Sequence, residues 1–100
     1  MNTVAELDVW NFQVLMLVQA MQGAITRNFR MIALFREGDV WVIKYCLEEE
    51  IDSDIEEIQD IECQYTAYQD SSLKCRSEVV IGNGRLIDLD GGRVVYRRKE

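Results

Sequence analysis

An α+β domain follows from three features of the 100-residue sequence: an antiparallel sheet of four or five strands with two helices on one face, in the order α-β-β-α-β-β. Two segments carry apolar residues at three- and four-residue steps, each opened by a capping box. Between and after them lie β-branched and aromatic runs separated by glycine-containing turns. The chain is also too short to bury two independent cores, so residues 1–100 form a single domain.

The first helix starts at Thr3-Val-Ala-Glu6, where hydroxyl and carboxylate can each accept a backbone N–H. Leu7, Trp10, Val14, Leu17, Val18 and Met21 form its stripe, and Gly23 stands where a left-handed C-terminal cap costs least. Phe12 and Met16, with Val9 and Ala20 near them, make a second apolar strip about opposite the first. Such a helix is covered on more than one side, by a loop, a second subunit or a partner.

Asn28 to Glu37 and Val40 to Glu48 read as a hairpin about Glu37-Gly38-Asp39. Trp41, Ile43, Tyr45 and Leu47 form the core face of its second strand. On the first strand, Phe29, Met31, Ala33 and Phe35 share a more apolar face than Arg30, Ile32, Leu34 and Arg36.

Ser53-Asp-Ile-Glu56 is a second capping box, opening a helix whose Ile55, Ile58, Ile61, Tyr65 and Tyr68 form the core stripe. Glu56 and Asp60 lie opposite that stripe, while Asp54 and Glu57 flank it. Glu62 falls on the apolar side and calls for a cation, with Arg30 or an arginine near the C-terminus as candidates. The last third gives a strand from Leu73 to Ile81, a Gly82-Asn83-Gly84 turn, and a strand or mere connection from Arg85 to Leu89. A second turn at Asp90-Gly91-Gly92 leads into a strand from Val94 to Arg98.

Charge is unevenly placed. Glu48, Glu49, Glu50, Asp52, Asp54, Glu56, Glu57, Asp60 and Glu62 put nine acids and no base into residues 48–62, against a formal net charge of -7, which leaves the rest weakly basic. That segment repels nucleic acid and anionic lipid and attracts a basic partner; the plainer reading is a solvated helix face. Arg93 and Arg97-Arg98-Lys99 lack a stacking-aromatic platform in an acidic chain, so no direct nucleic-acid binding is expected. No apolar stretch approaches roughly 18 residues, and no basic region leads into a secretory segment. The expectation is a cytoplasmic protein without a membrane span.

Catalytic chemistry is poorly supplied. The absence of histidine removes the usual general base and the common serine and cysteine nucleophile arrangements. Cys46, Cys63 and Cys75 are odd in number and show no C-x-x-C spacing, so they read as reduced thiols rather than a disulfide framework or zinc site. Glu48 to Asp54 lacks the glycine and glutamate spacing of a calcium loop, and the glycine turns precede no helix, so neither a metal nor a phosphate-bearing cofactor is expected. The chain reads as a non-enzyme.

Three segments together resemble a known family: Gln22-Gly-Ala-Ile-Thr-Arg-Asn-Phe-Arg30 after the first helix, the acidic helix with Glu62, and the terminal Tyr96-Arg-Arg-Lys-Glu100. They are similar to small bacterial immunity proteins of contact-dependent inhibition and other polymorphic toxin systems. The resemblance implies a protein without catalytic activity that binds a cognate toxin domain, often a nuclease, in the cytosol of the producing cell and blocks its active site or its access to substrate. It also implies that Asn28, Arg30, Glu62 and Arg97 or Arg98 are scaffold polar residues, with Phe29 standing where leucine is expected.

Two working surfaces follow. Because a nuclease presents positive charge to phosphates, Glu49, Glu50, Asp52, Asp54, Glu56, Glu57 and Asp60 are the candidate toxin-binding residues. In the alternative, a homodimeric interaction or scaffold protein, Phe12 and Met16 are the contact surface and the acids serve solubility.

Overall fold

The computed structural model describes residues 4–69, 73–82 and 89–99. Helix α1 (Val4–Met21), strands β1 (Phe29–Glu37) and β2 (Val40–Leu47), helix α2 (Asp52–Ala67), and strands β3 (Lys74–Ile81) and β4 (Arg93–Arg97) follow the expected order. Thr3, the Asn83-Gly84 part of one turn, residues 85–88 of the optional strand, and Glu100 lie outside the described residues.

The sheet departs from the antiparallel expectation. Its order is β3-β2-β1-β4, and β1 is antiparallel to both β2 and β4. Strand β3 instead runs parallel to β2, in unbroken register from Val40 opposite Lys74 to Leu47 opposite Ile81. The connection explains the difference: a 16-residue helix carries the chain back to the end where β2 began, and a strand starting there runs parallel.

Both helices cover one face, as expected. Leu17, Ala20 and Met21 of α1 and Ile58, Ile61 and Tyr65 of α2 pack on Phe29, Ile32 and Leu34 of β1 and Trp41, Ile43, Tyr45 and Leu47 of β2. The more apolar side of β1 is not the helix side: Met31, Ala33 and Phe35 lie on the other face with Val42 and Cys46, beneath Val40, Val80 and Leu89. A bulge between Phe29 and Met31 turns Phe29 toward the helices, out of the strict alternation that grouped it with Met31.

The helix faces are also shifted from expectation. In α1, Gln13 and Ala20 are buried, Met16 packs against the core, and Leu7 is 43% exposed, so of the second apolar strip only Phe12 and Val9 stay exposed, joined by Leu15, which the periodicity did not place there. Gly23 follows the helix at φ +78°, the left-handed cap the sequence calls for. In α2 the Ser53 capping box does not form, because the helix starts earlier, with Ile51 as its N-cap and no side-chain cap bond. Asp54 and Ile55 both donate their N–H groups to the Ile51 carbonyl. That start turns Asp54 inward, 3% exposed, while Tyr68 at the far end is 50% exposed and outside the core stripe. Among the described residues no helix is long and apolar enough to cross a membrane.

Candidate functional site

Residues 48–73 contain no lysine or arginine, and six of the acids between 49 and 60 lie along α2 and the loop before it. Glu49 and Glu50 in the loop, and Asp52, Glu56 and Asp60 on the outer side of α2, are exposed, with Glu57 half-buried beside them. None of these six enters an ion pair among the described residues. Their charges are therefore available to an external partner. Asp54 is different: it is interior and hydrogen-bonded, so the expected seven-residue surface contains six of its members.

The ridge is held by an anchor built from the residues before β1. Asn28 Oδ1 accepts the Glu49 N–H at 2.9 Å, and Asn28 Nδ2 donates to the Glu49 carbonyl at 2.8 Å, so one carboxamide extends the β1–β2 ladder by a pair. The second Nδ2 hydrogen goes to Asp54 Oδ2 at 2.9 Å, and Thr26 Oγ1 donates to Asp54 Oδ1 at 3.0 Å. Asp54 sits in the first turn of α2, where the helix dipole favours a carboxylate. On the outer flank, Arg98 donates to the Arg27 carbonyl at 2.8 Å and to Glu48 Oε1 at 3.0 Å, and its backbone N–H bonds the Arg30 carbonyl. Glu48 is thus tied down while Glu49 and Glu50 project.

The remaining predicted polar residues have other partners. Arg30 donates to the Gly82 carbonyl at 2.8 Å, at the end of β3, and not to Glu62. Glu62 lies beside Cys75, where burial first and the Glu62 charge second push the thiol up to about 12. The cation expected for Glu62 is absent among the described residues, since Arg30 is turned to Gly82 and Arg98 to Glu48. Arg97 is exposed, without an ion pair among the described residues. Cys46 is buried, Cys75 half-buried and Cys63 exposed, and none of the three forms a disulfide. No cluster of metal-ligating side chains occurs among the described residues.

At the other end of α2 lies a groove of about 620 Å³ lined by Phe12, Asp39, Ala67, Tyr68, Gln69, Leu73 and Lys74. Behind it, the Tyr65 hydroxyl donates to Gln13 Oε1, Gln13 Nε2 to Gln69 Oε1 at 2.7 Å, and Gln69 Nε2 back to the Tyr65 carbonyl at 3.1 Å. This closed triangle joins α1 to α2 and satisfies the buried Gln13. Of the two residues expected in a dimer surface, Phe12 is 48% exposed at the groove, whereas Met16 is turned onto the core.

One constellation escaped sequence reasoning. Trp10 meets Trp41 edge to face at 4.9 Å, with the Arg36 guanidinium 4.9 Å from the Trp41 ring and Arg93 4.6 Å from Trp10. It pins α1 to the hairpin end of the sheet.

No curated protein matches the chain. Residues 13–100, most of its length, match a family model described as MafI2 immunity protein.

Proposed function

Because the chain belongs to the MafI2 immunity protein family, we propose that it neutralises a cognate toxin by stoichiometric binding through the acidic ridge of Glu49, Glu50, Asp52, Glu56, Glu57 and Asp60. The observation that carries this reading is that five of these carboxylates are exposed and Glu57 half-buried, on α2 and the loop before it, with no ion pair to any of them among the described residues. Held on a helix and on a loop pinned by Asn28, they present an ordered negative surface that steers a basic domain into place and loses little freedom on binding. A nuclease is the toxin class that fits, since the groove it uses for phosphates is the surface such a ridge would occupy. Inhibition is then steric and electrostatic, requires no chemistry from this chain, and takes place in the cytoplasm of the producing cell.

The test is co-purification of the tagged protein with toxin domains from its source cells, followed by rescue of growth in cells expressing the captured toxin. A Glu49→Lys, Asp52→Lys, Glu56→Lys triple variant should bind that toxin at least about tenfold more weakly, chiefly through a slower association rate, and the wild-type complex should weaken steeply with salt. Full protection by the triple variant would remove the ridge from the interface. Failure to protect against any captured toxin would sink the neutralisation reading itself.

A further inference from the structure

We propose that the groove at the C-terminal end of α2 seats an arginine side chain of the protein partner, making it the second half of the interface whose first half is the acidic ridge. This rests on the reading above and names a contact that reading does not contain. Two exposed aromatic side chains, Phe12 and Tyr68, line the groove together with Leu73 and Ala67, giving apolar surface for an aliphatic stem and ring faces for a guanidinium.

The charge at this end selects the same occupant. The last turn of α2 carries no basic residue, so the partial negative charge of its carbonyl end is uncompensated from within the helix. Asp39 lines the groove as well, and its ion pair with Lys74 leaves the two together without net charge. Lys74 is the single cation among the lining residues and is already engaged with Asp39 at 2.8 Å. An acidic side chain would meet the helix end and the field of the ridge with the wrong sign. A purely aliphatic one would leave the helix end and the ring faces of Phe12 and Tyr68 without a cation. Ridge and groove also share one helix, roughly 24 Å long for 16 residues, so a single basic domain can span both.

The experiment is an amide NMR titration of the full chain with N-acetyl-arginine amide, with N-acetyl-norleucine amide as the uncharged comparison. The arginine probe should give saturable shifts at Phe12, Ala67, Tyr68 and Gln69, at least about fivefold tighter than norleucine, and Tyr68→Ala should abolish the saturation. Because Tyr68 lies outside the core, this variant should keep the wild-type spectrum elsewhere, and Tyr68→Phe should retain binding. Equal binding of norleucine would make the groove merely apolar and overturn the proposal. So would shifts confined to Glu49–Asp60, or no saturable shift at all. Since the titration needs no toxin, a silent groove in a protein that still captures and neutralises one sinks this inference alone.

Discussion

Asn28 Nδ2 lies 2.9 Å from Asp54 Oδ2, joining the residue before β1 to the first turn of α2 across a sequence separation of 26. With its two bonds to Glu49, the same carboxamide fixes the acidic loop at both ends. Asn28→Ala would leave the buried Asp54 carboxylate with only its Thr26 partner and unpair the Glu49 backbone. A loss of about 2–3 kcal/mol is expected in urea unfolding, the scale of hydrogen bonds to charged groups. Toxin affinity should fall as well, even at temperatures where the variant is folded.

Gly92 approaches the Phe35 ring so closely that a methyl group added there would overlap it. The position has no left-handed backbone requirement, so the effect of Gly92→Ala is steric. A cost of about 1–3 kcal/mol is expected, typical of overpacking. Adding Phe35→Leu should recover part of it, and a double-mutant cycle on melting curves would show the coupling; strict additivity would contradict the contact.

The Tyr65 hydroxyl is the donor that satisfies Gln13 between the helices. Tyr65→Phe should cost about 1–2 kcal/mol by leaving a buried acceptor short of a partner. Combining it with Gln13→Leu should cost less than the sum of the two single changes, because the second change removes the orphaned acceptor.

Cys75 sets an alkaline limit. Burial, with Glu62 beside it, raises the thiol from 9.0 to about 12 in the folded protein. The unfolded chain therefore releases this proton first, and the stability held by the neutral thiol is whole below about pH 9 and lost as pH rises toward 12. Urea melts from roughly pH 8 to 10.5 should show falling stability, and Cys75→Ala should flatten the decline. Burial raises Tyr45 and Tyr65 in the same direction, so a residual decline should persist above about pH 10. In thiol labelling at neutral pH, exposed Cys63 should react well before Cys75 and Cys46.

Much of the architecture was legible in local pattern. The hairpin, both helices, the strand ending at Ile81 and the terminal strand each announced themselves by periodicity or turn chemistry, and Trp41, Ile43, Tyr45 and Leu47 are the helix-facing side of β2. The parallel pairing of β3 was not, because strand direction depends on where a connecting helix delivers the chain. Asp54 was hidden by its company: one acid among nine is buried. Its spacing did carry the signal, four, seven and eleven residues before Ile58, Ile61 and Tyr65, the stripe it joins. Gln13 likewise precedes Leu17 and Ala20 by four and seven. Apolar pattern alone discounts such polar members, since only the folded neighbours Thr26, Asn28 and Tyr65 reveal what satisfies them. The acids of the ridge were legible by composition, whereas the groove formed by Phe12, Tyr68 and Asp39 required three distant segments to be brought together.

The position of β4 orders the assembly of the chain as it is made. Among the described residues it pairs only with β1, whose residues precede it by some sixty positions, and it is made after the other three described strands. The hairpin, α2 and the Asn28 bracket all lie within residues 28–67 and can meet while β1 still has an open edge. The acidic surface can thus form before β4 pairs with β1, and until that pairing is made β1 rather than β4 is the edge that must be kept from other strands.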